Sequence, residues 1–451
     1  MDIIISGNEN IINLIESYSR DLINEFSEEK IKFLTQQTKK TRRNQYKCSE
    51  YNYCTNIDDK YIIYNTLYNS LVRMNNMEYL KYLGSIECED DLKNEFIENG
   101  LWIENNLDEF KIYLEYANFF TRSIDRPLNL TIATTLKCNA RCNYCYEKGV
   151  KQYDIKKGIE ESIINFIKNK NKKYVNINWF GGEPLMNMEF MDTLSKRLKN
   201  ENIIFTSYII TNGSLINDYI INEKLKLWNV NNIQITIDGT KEEYERRKNY
   251  YDPQIGEYYN ILLNIKKLAE KGINLHLRIN IDKNNVNDIL ELIKELDSIF
   301  GKYDNVVFYP AFITGTNNSI SEENKFYIVR KMLENINNPK KLTTGNKLYS
   351  SPKLHACMNN DPNSFSIDIE GNIYTCEHNL GKPKYAIGTI EDGLFDTDRR
   401  IVQTMPRDEC CKCVFLPKCM GGCKSNLESN DSPCMIEKYI IKAYIDLLLC
   451  V

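Results

Sequence analysis

The sequence predicts an α/β protein: an open, partial barrel of six βα units between an amino-terminal extension and a cysteine-rich carboxyl-terminal region. Three observations carry that expectation. From Leu128 to Pro310, short apolar runs alternate with longer stretches of helical periodicity, the pattern of βα units around a parallel sheet. The chain has 451 residues, enough for two or three domains with a buried core. Its 15 cysteines gather in tight spacings just after the first apolar run and again near the end. The expected divisions are residues 1–124, 125–345 and 346–451, with a compact winged-helix-like unit over about 58–117 in the first.

Taken in order, the candidate barrel strands are Leu128 to Leu136, Tyr174 to Trp179, Ile203 to Ile210, Asn232 to Ile237, Asn274 to Ile279 and Asn305 to Tyr309. Helical stretches fall between them at Ile159 to Lys168, Met188 to Leu198, Tyr258 to Lys271 and Val286 to Phe300. Six strands fit an open barrel better than a closed eight-stranded one, and a parallel barrel places its active site in the loops after the strands. Upstream, Asp59 to Thr66 and Ser70 to Met74 read as a strand pair. Helices near Met77 to Leu83 and Asp90 to Glu98 and a strand-like Leu101 to Ile103 follow, together resembling a winged helix-turn-helix. That shape ordinarily binds DNA, but Glu89 to Asn106 is acidic where a recognition helix is basic. The run Lys39 to Arg43 lies outside the unit and reads as a solvated loop.

A net charge of −4 gives no electrostatic case for nonspecific nucleic-acid binding. The first ten residues carry Asp2 and no basic n-region, so no signal peptide is expected. The apolar tail Met435 to Val451 is interrupted by Glu437, Lys438, Lys442 and Asp446, short of the about 18 uninterrupted apolar residues of a membrane span. It reads as a packed helix, and no membrane partner is expected. Metal-type cysteine spacing in a long, lysine-rich chain points to a reducing cytoplasm. Only 3 histidines are present, which disfavours a multi-histidine zinc hydrolase.

The chemistry starts at Cys138, Cys142 and Cys145, a C-x3-C-x2-C triplet just after the first strand. Three thiolates ligate three irons of a four-iron cubane and leave the fourth open to another ligand. Taken alone, the triplet also reads as a zinc half-site or three buried thiols. Companion motifs follow at the ends of successive strands: Gly181-Gly182-Glu183-Pro184, Thr211-Asn212-Gly213, Asp238-Gly239-Thr240, and Arg278 on the fifth strand. In this order they resemble the radical S-adenosylmethionine (SAM) superfamily. The resemblance implies that SAM fills the open iron site and is cleaved to a 5'-deoxyadenosyl radical. It also implies that Tyr144, Gly181, Gly182, Glu183, Pro184, Thr211, Asn212, Asp238 and Arg278 line the SAM site, with a structural salt bridge the competing role for Arg278.

Downstream stand Cys357-x13-Gly371-x4-Cys376, then Cys410-x2-Cys413-x5-Cys419-x3-Cys423, then Cys434. This resembles the seven-cysteine pattern of SPASM domains, which house two auxiliary 4Fe-4S clusters; a zinc ribbon also uses a C-x2-C pair. The resemblance puts Cys357, Cys376 and Cys423 on the first auxiliary cluster, and Cys410, Cys413, Cys419 and Cys434 on the second. The first is then short of one thiolate. The related anaerobic sulfatase-maturating enzymes recruit another upstream cysteine there, but no cysteine lies between Cys145 and Cys357. His355, an oxygen ligand or a substrate cysteine are the candidates for the gap. Glu377, after Cys376, stands where those enzymes carry an aspartate base; an acidic surface residue is the alternative. Cys411 interrupts the motif, and Cys48, Cys54, Cys88 and Cys450 read as buried thiols.

The whole pattern resembles a radical SAM/SPASM maturase of ribosomally synthesised peptides, of the thioether-forming sactipeptide or ranthipeptide type. That implies a precursor peptide whose leader is held by the amino-terminal unit as an added strand, and an external electron donor such as a flavodoxin or ferredoxin. The rivals are a carbon-carbon cross-linking maturase, a formylglycine-forming sulfatase maturase, and a DNA-binding redox sensor whose clusters only report on oxygen.

Overall fold

The computed structural model describes residues 1–5, 46–121, 126–150, 152–314, 318–343, 352–355, 357–395, 406–423 and 434–448. The basic run Lys39 to Arg43 and Cys450 lie outside these residues.

The amino-terminal part is a four-stranded antiparallel sheet built from β1 (Asp2–Ile5), β3 (Asn52–Ile57), β4 (Lys60–Asn65) and β5 (Ser70–Asn75), in the order β1-β5-β4-β3. The short strands β2 (Tyr46–Cys48) and β6 (Trp102–Glu104) pair separately. Sequence reasoning anticipated β4 and β5 as a pair. It missed β1, a four-residue run of Asp and three isoleucines with no alternation, and β3, whose Asn and Thr content and largely exposed side chains leave no apolar alternation to read. The helices Asn76–Tyr82, Asp90–Glu98 and Glu109–Thr121 follow. The first opens on a capping box in which Asn75 and Glu78 satisfy each other's backbone N–H groups. Ile63, Val72 and Met74 pack against Tyr82 and Phe96 of this helical layer. The opposite face buries Ile62, Tyr64 and Leu71 against Phe415, Ile441 and Ile445 from the far end of the chain.

The central sheet contains β7 (Leu128–Thr135), β8 (Tyr174–Gly181), β9 (Ile204–Thr211), β10 (Val230–Thr236), β11 (Asn274–Ile281) and β12 (Val306–Phe312), all parallel and in sequential order. The six expected strands are therefore present, with ends within three residues of those anticipated. Along each strand alternate residues, such as Leu128, Leu130, Val175, Ile177, Leu275 and Leu277, are buried in the main core, while the intervening positions carry polar groups to the concave face. There Asn176 donates to Asn129 at 2.9 Å and Thr206 to Asn176 at 3.0 Å, a hydrogen-bonded ladder across three strands.

The sheet does not end at β7. β13 (Ser364–Ile367) joins its edge in parallel, and β14 (Asn372–Tyr374), β15 (Gly388–Thr389) and β16 (Gly393–Leu394) extend it antiparallel. The β13–β14 turn needs Gly371 at φ +89°, a conformation that favours glycine. The cysteine-rich region is thus wired into the barrel sheet. Its short helices Asp408–Cys411 and Leu416–Cys419, with the closing helix Ile436–Leu448, pack against the amino-terminal part. No helix among the described residues is long and apolar enough to cross a membrane.

Candidate active site at the mouth of the barrel

The loop carrying Cys138, Cys142 and Cys145 leaves the carboxyl end of β7. It is pinned by β8, where Gly182 N donates to Thr135 O at 3.0 Å and Glu183 N to Lys137 O at 2.8 Å. A Cβ on Gly181 would lie 1.9 Å from Thr135 O, and one on Gly182 2.2 Å from Lys137 O. The two glycines therefore admit the close approach of the cysteine loop's own backbone. Glu183 is fully buried. Its carboxylate accepts from Thr211 Oγ1 at 2.7 Å, Asn212 N at 2.8 Å and Leu185 N at 3.1 Å, tying the end of β8 to the end of β9. Burial pushes Glu183 up to about 7 against the pull of those three donors. Asn212 also reaches back to the loop, donating to Asn139 Oδ1 at 2.8 Å.

After β10, Asp238 is completely buried. Its Oδ1 accepts from Asn280 N at 3.0 Å and its Oδ2 from the Tyr144 hydroxyl, and Lys248 Nζ stands 3.4 Å from that same Oδ2. Lys248 also donates to Tyr144 OH at 3.2 Å, and the Arg247 guanidinium lies 4.8 Å from the centre of the Tyr144 ring. Arg247 is buried and forks onto Asp282 at 3.1 and 3.2 Å. Sequence reasoning missed Arg247 and Lys248, because the run Arg246-Arg247-Lys248 at a helix end resembles a solvated basic face. The readable signal was Tyr244, an apolar-sized residue one turn before Lys248 and likewise buried.

Arg278 points to the concave face, where Nε donates to Asn280 Oδ1 at 2.9 Å and the guanidinium lies 5.0 Å from the Tyr309 ring centre. No carboxylate among the described residues lies within ion-pair distance of it, which removes the structural salt bridge as its role. Below it Tyr208 OH sits 3.3 Å from both Gln234 Oε1 and His276 Nδ1. Glu377 arrives from the carboxyl-terminal region: burial raises its pKa, and Arg278 lowers it by a smaller amount. The neighbouring His378 stacks on Tyr146 of the cysteine loop, with ring centroids 4.4 Å apart and planes at 11°. The two cysteine regions therefore meet over the barrel mouth.

The thiols influence one another electrostatically in three sets. Burial pushes Cys138 up to about 12, with Cys142 and Cys145 adding to it. Burial likewise takes Cys376 to about 12, with Cys357 and Cys423 contributing, and Cys419 to about 12, with Cys413 and Cys410 contributing. Cys434 and Cys413 act on Cys410 in the same way. Grouped sulfurs that resist ionisation alone are sites that a cationic centre would convert to thiolates. Among the described residues no three His, Cys, Asp or Glu side chains converge on a single-ion position, whereas a cubane takes one sulfur per iron and needs no such convergence. Cys411 stands apart, donating to Arg407 O at 3.2 Å. Of the cysteines expected to be buried thiols, Cys88 is buried, but Cys48 and Cys54 are exposed.

Residues 132–296 match the Radical SAM superfamily. The barrel is a radical SAM domain. The chain is 25% identical over 338 residues to a cysteine-type anaerobic sulfatase-maturating enzyme of Clostridium novyi, spanning 65% of this chain and 86% of the relative. It is 30% identical over 200 residues to the radical SAM cyclopropyl synthase TigE of Paramaledivibacter caminithermalis, covering 39% of this chain and 42% of that one. In fold it is similar to the solved structure of native anSMEcpe with bound AdoMet and Kp18Cys peptide: TM-score 0.57, 17% identity, 72% of this chain and 99% of the other.

Proposed function

We propose that this radical SAM enzyme is a peptide maturase that joins a cysteine sulfur of a ribosomal precursor peptide to a carbon of another residue. Cys138, Cys142 and Cys145 would hold the SAM-binding cluster, which when loaded supplies the electron that splits SAM into methionine and a 5'-deoxyadenosyl radical. Because the Glu183 carboxylate is engaged by Thr211 and Asn212, the Gly181 to Pro184 segment would meet SAM through its backbone. Tyr144, Thr211, Asn212, Asp238 and Arg278 complete the proposed SAM site, with Lys248 neutralising Asp238.

The observation that carries the thioether reading is the inequality of the two carboxyl-terminal sets: four sulfurs around Cys410, Cys413, Cys419 and Cys434, three around Cys357, Cys376 and Cys423. A soft thiolate from the substrate suits the gap. The net reaction takes one hydrogen atom from carbon, leaving as 5'-deoxyadenosine, and one proton from sulfur. One surplus electron remains, and the four-cysteine set is where the chain would house its acceptor. Glu377, raised by burial, would take the proton.

The relatives support a peptide substrate: one is named for sulfatase maturation, and the structural neighbour holds a peptide. The cyclopropyl synthase favours a second reading, carbon-carbon bond formation. Anaerobic reaction with a short cysteine-containing peptide encoded beside the gene separates them. Thioether formation removes two hydrogens and one alkylatable thiol per link. Loss of two hydrogens with every thiol still alkylatable establishes the second reading instead.

A further inference from the structure

Lys438 lies in the first turn of the closing helix Ile436–Leu448, and its Nζ donates to Cys434 Sγ at 3.4 Å. Cys413, another member of the four-sulfur set, acts on the same ammonium. Cys434 itself stands two residues before that helix begins, where the backbone dipole is positive. Four sulfurs match the four irons of a cubane one to one, so this chain brings a cation directly to a sulfur that such a centre would use.

The other charges around the set are neutralised in pairs. Lys353 acts on Cys419 but sits 2.7 Å from Glu437, and Arg407 acts on Cys410 but sits 3.4 Å from Glu409. From the neighbouring helix Glu322–Glu334, Glu322 acts on Lys438, yet it is held by Lys325 at 2.8 Å and by the Tyr439 hydroxyl. No carboxylate among the described residues lies within 4.0 Å of Lys438 Nζ. Lys438 therefore gives the set a positive charge without a close counter-ion. The three-sulfur set meets the opposite sign: the Glu377 carboxylate, itself faced by Arg278, acts on Cys376. Reduction of an iron-sulfur centre adds one electron and breaks no bond. A nearby cation and an N–H donor to a ligand sulfur favour the reduced form, and a nearby anion opposes it.

We infer that Lys438 is a positioning residue for electron transfer, holding the four-sulfur centre at a higher reduction potential than the three-sulfur centre and so directing the surplus electron of the reaction toward it. The inference rests on the assignment of these seven cysteines to two auxiliary clusters.

The test is an anaerobic potentiometric titration of the full chain, reconstituted with iron and sulfide and followed by electron paramagnetic resonance. With Cys138, Cys142 and Cys145 replaced by alanine, about eight irons should remain, in two centres with separate reduction waves. In that background Lys438→Met should lower the higher wave so that the reduced-to-oxidised ratio at a fixed potential drops about tenfold, about 59 mV for one electron, and leave the lower wave in place. Lys438→Arg, which keeps charge and donor, should leave both waves in place. Should Lys438→Met not hold iron, Lys438→Gln keeps an N–H donor without the charge and reads out the same fall. Waves unmoved at full iron, an equal shift of both, an equal fall in Lys438→Arg, or iron loss from both uncharged variants overturns the inference and leaves the clusters standing. Fewer than about eight irons in the background, or zinc in their place, removes the auxiliary clusters and the inference with them.

Discussion

At the scale of single residues, cost and function separate cleanly. Glu109 is buried, with Ser49 Oγ donating to it at 2.8 and 3.0 Å and Glu50 N at 2.8 Å. Burial nevertheless raises it to about 7, above the roughly 4.3 of an exposed glutamate. Between those values the folded state binds more protons than the unfolded one, so its contribution to stability is full below about pH 4.3 and is lost as pH rises through 7. Glu109→Gln should flatten this part of the stability profile, read from urea midpoints at pH 5, 6, 7 and 8. At the mouth, Cys138, Cys142 and Cys145 replaced together by alanine should abolish 5'-deoxyadenosine formation and remove about four irons of about twelve. Retained activity would dismiss the triplet as the SAM centre. The electrostatic partnership of Arg126 and Asp361 is a third case: the pair lies at 2.7 Å with Asp361 only 1% exposed. Burial alone raises Asp361, but hydrogen bonds from Ser364 and the Arg126 charge outweigh it and hold the carboxyl below its ordinary value. Its contribution is present above about pH 4 and fades as acid protonates it. Arg126→Gln should cost about 3 kcal/mol in unfolding at pH 7, a loss that shrinks toward pH 3.

At the scale of elements, the site depends on how strand ends are fastened together. β8 holds the cysteine loop by two backbone hydrogen bonds where only glycine fits. Gly181→Ala would press a methyl carbon against Thr135 O and demand the φ of 128° from a residue that rarely adopts it. We expect a folded protein whose loop is displaced, seen as loss of about four irons with the far-ultraviolet circular dichroism retained. Such a variant loading its full iron would show that the approach of the two backbones is dispensable. Period-2 and period-3.6 patterns made β7 to β12 and their helices readable, because each buries one full face. They could not disclose β1 and β3, which bury little, nor β13 to β16, which have two to four residues each.

At the scale of the whole molecule, the two ends of the chain meet. Thr66 Oγ1 donates to Val414 O, Tyr113 OH donates to Lys353 O at 2.7 Å, and Ile445 is wholly buried between the closing helix and the amino-terminal sheet. Ile445→Ala should cost about 3 kcal/mol and speed hydrogen exchange in Lys60–Asn65 and Ser70–Asn75 more than in the barrel. Uniform acceleration would mean the sheet is held by its own core alone.

By itself the sequence determined the chemistry on offer and the frame that carries it. Spacing of the cysteines marked them as candidate metal ligands, resemblance to known motifs implied which sulfurs share a centre, and apolar periodicity laid out six parallel strands whose ends hold the motifs. Both are local properties, written in residues a few positions apart. Only the tertiary structure decided that Arg247 and Lys248 are buried charges behind Tyr144, that the barrel sheet runs on into the cysteine-rich region, that Glu377 reaches the mouth, and that β1 fills the edge of β5. Each depends on which distant segment supplies the counter-charge, the covering layer or the neighbouring strand, and burial by a partner hundreds of residues away leaves no periodicity behind.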